Sequence, residues 1–410
     1  MSKYLCLVPC FICILVLCPY TNVSAQNADH NFTPTFKNGI SKPNTLATHP
    51  FGILFYTLPH NFKKQPHKVP LLDINLSSGN IWGQPVGVHV PTSTNDRSRL
   101  KPIPFYNRQF SYDTTQSPSE IYWFQYDGIL KDLRLAYSFP INLRQEVQIS
   151  TRSFMLTKGK LPFSVITGDQ FIEFFHSNIA GGEDPFGRRE RGMDQALIRY
   201  TDRNDNTMGI SSGTFVFSGI ETAYHYYPSI FEKHKVSLNL GAHAGINLSP
   251  YNSSLDIGLS VAGVKELNSK PNHLFLLGLG LNVLRKRAIG FRGQQVDLGT
   301  NSLFGSFEGH MEYSKKTVSG GWHSFGLNYR IQTPYNNKKE EGYYVPFSPD
   351  KRIARWHEAA RHLYKFPSYW SLIYSFTKKT EISFYLQQDM LVNNTPDLQL
   401  GASLKIPISF

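Results

Sequence analysis

The sequence predicts an all-β protein: a single antiparallel transmembrane β-barrel of about 12–14 strands, with one or two short loop helices. Three observations predict it. The last stretch alternates without a break: Leu398, Leu400, Ala402, Leu404, Ile406, Ile408 and Phe410 are apolar, and the positions between them are polar, Gly or Pro. A strand turns successive side chains to opposite faces, so this segment has one apolar and one wet face. The second half repeats that pattern in runs of about 9–13 residues, the length a tilted strand needs to cross a bilayer. The composition agrees: mean hydropathy is −0.30, yet 14% of residues are aromatic, with 22 Tyr and 29 Phe. A polar interior with aromatic girdles at both interfaces produces that combination.

The elements follow in order. Lys3 is a short positive region, Leu5–Cys18 is apolar, and Val23-Ser24-Ala25 offers small-residue cleavage before Gln26. Residues 1–25 therefore read as a secretory signal peptide. Bulky Leu17 before Cys18 and Pro19 after it argue against lipidation. All four cysteines (Cys6, Cys10, Cys13 and Cys18) lie in this segment, so the mature chain has none. An exported chain of this size without disulfides suits a barrel that crosses the periplasm unfolded. Asn31 and Asn75 sit in glycosylation-type triplets that are common by chance. Removing Lys3 with the signal lowers the net charge from +12 to +11. No apolar run long enough for a membrane helix follows Ala25. Residues 26–50 read as a flexible leader and 51–410 as the barrel.

In the first half, Leu71–Leu76, Ile121–Tyr126, Leu133–Phe139 and Leu143–Thr151 are strand candidates, with Pro140 marking a tight turn. Between Thr151 and Phe215 no strand parity can be followed. From Val236 onward the alternation is regular, through 236–248, 255–261, 275–283, 303–313, 321–331, 369–376 and 381–390. Two Lys-Lys turns, at Lys315-Lys316 and Lys378-Lys379, are short, and the connection 332–368 between them is long. Barrels put short turns on the periplasmic side and long loops outside. That places Phe410 and both Lys-Lys turns on one side, with 285–301 and 332–368 on the other. Phe410 closing an alternating strand resembles the insertion signal of bacterial outer-membrane barrels, which implies the barrel-assembly machinery as a partner.

Catalytic motifs fail on context. Gly209-Ile210-Ser211-Ser212-Gly213 fits a nucleophile elbow, but a helix must follow the Ser, and Thr214–Phe217 reads as a strand. His357-Glu358-Ala359-Ala360-Arg361-His362 misses the zinc-peptidase spacing: five residues apart on a helix, the imidazoles diverge by roughly 140°. No catalytic, metal or cofactor residue is assigned, and no nucleic-acid partner is expected.

Two segments remain candidates. Ser348-Pro349-Asp350 is a helix start, followed by an apolar face of Ile353, Trp356, Ala360 and Leu363 and a basic face that includes Lys351, Arg352 and Arg355. With Arg285, Lys286 and Arg287 these make the outer side basic, suited to anionic lipopolysaccharide or anionic solutes; the simpler reading is a loop helix packed on its own rim. In Gly168–Gly192, Asp169 is positioned to cap a short helix with Phe171, Ile172, Phe174 and Phe175 on its apolar face. Glu173, His176, Glu183, Asp184, Arg188, Arg189 and Arg191 then form a charged segment that either lines or plugs a lumen or sits outside.

Phe171-Ile172-Glu173-Phe174-Phe175-His176, with Gly181, Gly182, Gly187, Arg188 and Arg191 after it, resembles an uncharacterised family of proteobacterial outer-membrane proteins. Asp73-Ile74-Asn75-Leu76 with Asn80, Tyr126-Asp127-Gly128 and the unit Leu133–Ile149 add to the resemblance. It implies an outer-membrane location and no activity. The functional expectation is a channel or transporter for small solutes; the alternatives are a closed structural or surface-interaction barrel and, weakest, a membrane-embedded hydrolase. The oligomeric state is not legible.

Overall fold

A computed structural model describes residues 37–44, 51–89, 103–105, 108–110, 121–159, 164–179, 193–202, 206–291, 296–335, 366–389 and 398–408. The strands are β1 (Leu71–His89), β2 (Ile103–Phe105), β3 (Arg108–Phe110), β4 (Ile121–Asn142), β5 (Gln145–Thr157), β6 (Leu197–Thr201), β7 (Thr207–Ser211) and β8 (Phe215–Tyr226). They continue as β9 (Val236–Ser249), β10 (Asn252–Lys270), β11 (His273–Gly290), β12 (Leu303–Lys316), β13 (Trp322–Gln332), β14 (Ser368–Thr377), β15 (Glu381–Asp389) and β16 (Leu398–Pro407). One short helix, α1 (Asp169–Phe174), precedes β6. The wall is a closed antiparallel barrel of 12 strands, running β1-β4-β5 and then β8 through β16, which pairs back onto β1 from Leu71↔Pro407 to Gly79↔Gln399. β6 and β7 form a hairpin that pairs with the start of β4, and among the described residues β2 pairs with β3 alone.

Side-chain parity builds the wall as the sequence leads one to expect. On β12, Ser306, Glu308, His310, Glu312 and Ser314 face inward and are buried, while Leu303, Phe307, Met311 and Tyr313 are exposed on the outside. On β11 the same rule leaves Leu279, Leu281 and Val283 outside. Connections do not alternate strictly as expected: 227–235 is a longer connection on the short-turn rim, and 250–251 is a tight turn on the opposite one. The rim at Leu71 and Pro407, called lower here, holds the short turns 143–144, 271–272, 317–321 and 378–380. The upper rim holds the far ends of β1, β5, β13 and β15 and the turn 250–251.

Several expectations are corrected. Ile121–Tyr126 and Leu133–Phe139 belong to one 22-residue strand, β4. Pro140 is no turn: it lies in β4 at a register shift before Asn142, a bulge position where its missing N–H is tolerated. The turn follows at 143–144. Parity fails between Thr151 and Phe215 because β6 and β7 lie off the wall. Residues 37–44 are not a free leader, and 51–64 are not wall. Both stretches lie inside the barrel.

Candidate functional site in the barrel lumen

Two passes of chain fill the lumen. Residues 37–44 and 51–64 pair where Ile40 N donates to Phe62 O at 3.1 Å. Phe51, Leu54, Phe55, Tyr56 and Leu58 are buried in an apolar cluster with Ile198, Tyr200, Leu284, Leu298 and Phe304 toward the upper rim. The wall is hollowed to receive them. A Cβ added at Gly245 would meet the Tyr56 ring at 2.4 Å, at Gly258 Leu58 at 2.7 Å, and at Gly280 the His60 ring at 2.4 Å. Glycine at these inward positions gives the internal segment room to approach the wall backbone. Asn282 Nδ2 donates to Leu58 O at 3.1 Å, and Asn252 Nδ2 to Leu54 O at 2.9 Å. These bonds satisfy carbonyls that have no ladder to join.

Toward the lower rim the contacts become ionic. Lys37 pairs with Glu312. Lys42 Nζ lies 2.6 Å from Glu308 Oε1, Lys63 Nζ 2.7 Å from Glu146 Oε1, and Lys64 Nζ 2.6 Å from Glu266 Oε2. Ser41 Oγ donates to Glu381 Oε2 at 2.7 Å, and Lys405 of the wall lies 2.6 Å from the other oxygen of Glu381. Every lysine in these contacts except Lys405 belongs to the internal segment, and every carboxylate belongs to the wall. At the lower mouth, burial and then the Lys63 ammonium hold His67 well below the usual imidazole range. Burial and then Glu146 push the Tyr227 phenol well up. Both groups are therefore neutral near pH 7. Among the described residues, the gap between segment and wall beside Lys42, His60 and His225 measures about 60 Å³, enough for a few waters.

Higher on the wall, Arg134 and Arg152 share Glu221: Arg134 Nη2 binds one oxygen, and Arg152 Nε lies 3.3 Å from the other. Arg152 Nη2 donates to Asn247 Oδ1 at 2.9 Å, and Asn247 Nδ2 to Asp256 Oδ2 at 2.8 Å.

The residues singled out from sequence separate. Lys286 is corrected from an outer-loop contact to a lumen residue. It is buried, with its ammonium 3.6 Å from the ring centroids of both Phe55 and Phe304. β11 runs on past Val283, so parity sends Arg285 outward and Lys286 inward. Arg285 is exposed and donates to Ser302 Oγ at 2.8 Å. Arg287 is half-buried, at a bulge where its N–H donates to Asp256 Oδ1 at 2.8 Å. In α1 Ile172 is buried as expected, but Glu173 is buried with it, whereas Phe174 and Phe175 are exposed. Asp169 begins the helix rather than capping it, because its carboxylate is taken by Asn80 Nδ2 at 2.7 Å and Asp194 N at 3.0 Å. Glu173 accepts from Ser177 Oγ at 2.8 Å, and His176 meets the Phe175 ring edge-on. Glu183, Asp184, Arg188, Arg189, Arg191, Lys351, Arg352, Arg355 and Phe410 lie outside the described residues. Ser211 ends β7 and a turn leads straight into β8, so the strand-to-helix elbow is not formed there. Sequence reasoning missed the internal segment; the signal that marks it is the set of inward glycines on β9, β10 and β11.

No family model and no curated protein matches the sequence. Solved structures share the barrel at low similarity. The COG4313 outer membrane channel from Pseudomonas putida F1 is 10% identical, with a TM-score of 0.38, over 86% of this chain and 100% of that one. A FadL homologue of Pseudomonas aeruginosa is 8% identical, with a TM-score of 0.31, over 88% and 93%. The outer membrane channel DcaP of Acinetobacter baumannii is 7% identical, with a TM-score of 0.25, over 83% and 96%. None reaches a TM-score of 0.5, and the lumen of this chain carries the functional reading instead.

Proposed function

We propose that this protein is an outer-membrane β-barrel of a Gram-negative bacterium that conducts small solutes when the internal segment 37–64 shifts aside. The observation that carries the reading is a polar, glycine-hollowed wall around a segment held only by non-covalent contacts. A barrel of about 8 strands is narrow enough for its own side chains to fill; this 12-strand wall is wider and leaves the space to a separate stretch of chain. The outward apolar face supports the membrane location. An arginine at Leu281, mid-strand and exposed on that face, should cost about 2–4 kcal/mol of folding stability in lipid. Urea titration of Leu281→Arg refolded into vesicles measures it, and an unchanged midpoint would argue against a lipid-facing wall.

The lower rim, with its short turns, is then periplasmic. The upper rim faces outward, with Arg285 available to anionic lipopolysaccharide, and the barrel-assembly machinery inserts the chain. The motif resemblance to the proteobacterial outer-membrane family supports the same location. The filled lumen favours one competing reading, a permanently closed barrel, and a crosslink separates the two. A Cβ at Gly245 would lie 3.1 Å from Tyr56 Cβ, a few tenths of an ångström inside the usual disulfide range of about 3.5–4.5 Å. The mature chain carries no competing cysteine. Tyr56→Cys with Gly245→Cys should be silent in a planar bilayer when oxidised and show discrete openings after reduction. Silence in both states, from protein shown folded by heat-modifiable gel mobility, would favour the closed barrel.

A further inference from the structure

The internal segment shows which solutes the opened lumen would take. Its Lys37, Lys42 and Lys63 end on Glu312, Glu308 and Glu146 of the wall, and each of these carboxylates is buried. Among these three and Glu381, only Glu381 also pairs with a cation of the wall, Lys405, among the described residues. Two of the carboxylates keep an unused oxygen: among the described residues, Glu146 Oε2 and Glu308 Oε2 are buried without a hydrogen-bond partner. On the segment, His60 Nε2 lies 3.8 Å from Glu308 Oε2, which is too far for a hydrogen bond. The wall's other buried cations are already engaged, and one of them, Arg330, stands directly across from Glu308 on the neighbouring strand. Arg134 and Arg152 share Glu221, Lys286 rests on aromatic faces, and Arg330 reaches Leu58 O at 3.4 Å.

From this arrangement, and resting on the channel reading above, we infer that the lower lumen is a cation-selective path. Glu146, Glu308, Glu312 and Glu381 take solutes bearing primary ammonium groups, and the segment's lysines hold those seats while it is closed. When the segment leaves, its lysines leave with it. The four carboxylates then face water inside a narrow low-dielectric wall that focuses their field. The +11 charge of the mature chain misleads here, because Lys37, Lys42, Lys63 and Lys64 belong to the segment rather than the wall.

The experiment is a reversal-potential measurement in a KCl gradient on the full chain carrying Lys37→Gln and Lys42→Gln, with Lys42→Gln alone as the second variant if the first fails to fold. Potassium should permeate about tenfold better than chloride, on the scale of electrostatic focusing. Added spermidine should block the current from the lower side. Glu308→Gln with Glu312→Gln in the same background should remove most of the preference and the block. A current that prefers chloride, or neither ion, overturns this inference and leaves the channel intact. No current at all from folded protein overturns the channel reading and this inference with it.

Discussion

Lys37→Gln combined with Lys42→Gln should raise the open probability of the channel by about a hundredfold or more. The two pairs it breaks are the most deeply buried of the segment's ionic contacts. Side-chain exposures are 3% and 1% for Lys37–Glu312, and 5% and 0% for Lys42–Glu308. Removing one partner of a buried pair leaves the other charge uncompensated, at a cost of about 3–5 kcal/mol. In the closed state Glu308 and Glu312 bear that cost. With the segment displaced they are hydrated, so the penalty falls on one side of the equilibrium only. At about 1.4 kcal/mol per decade, even the lower figure for one pair moves the population about a hundredfold. The other two lysines provide the control. Lys63 is 20% exposed, and the Lys64–Glu266 pair is 29% and 21% exposed, so Lys64→Gln should change the population by less than about 1 kcal/mol and lose even that in high salt. Open probability from single-channel records orders the variants. If Lys64→Gln opened the barrel as readily as Lys42→Gln, the buried pairs would not be what holds the segment.

The wall was legible in the sequence and its filling was not, for one physical reason. Strand parity is a local rule: Leu398–Phe410 and the β12 run from Leu303 to Tyr313 each declare a wet and an apolar face from consecutive residues. Carried three residues further along β11, it would also have placed Lys286 inside, but the Arg285-Lys286-Arg287 run reads as a loop when charge is taken as a sign of exposure. The stretches 37–44 and 51–64 carry no such period, because they are enclosed by the wall and have no solvent face to alternate against. Phe51–Leu58 is a short apolar run of the kind that periodicity alone cannot assign. Its lysines look like those of a solvated leader until their partners are seen, and the partners are 83 to 275 residues away in sequence. Pro140 and α1 failed for a related reason. The bulge that admits the proline, and the contacts of Asp169 with Asn80 and Asp194, are tertiary facts that outweigh local turn and capping preferences.

Glu221→Gln should destabilise the barrel by about 3–5 kcal/mol, the largest loss expected from a single substitution on the wall. One carboxylate compensates two guanidinium groups there, and all three side chains are 2–3% exposed. Its Oε2 also accepts from Ser150 Oγ at 3.0 Å, a bond the amide can keep, so the substitution isolates the charge. Among the described residues, Arg134 Nε and Nη1 and Arg152 Nη1 have no hydrogen-bond partner, which leaves Glu221 as the main compensation for Arg134. Arg152 retains Asn247, and through it Asp256, so the strain should concentrate on β4 and β8 rather than spread to β10. Removing a charge together with its partner is far cheaper than removing one alone; Glu221→Gln with Arg134→Met should therefore recover most of the loss. A double-mutant cycle on urea midpoints of the vesicle-inserted protein gives the coupling directly. A coupling near zero, or a Glu221→Gln midpoint equal to the parent's, would mean that water reaches the triad. The segment beside it would then be loosely seated even in the closed barrel, and the hundredfold opening expected of the lysine variants would shrink accordingly.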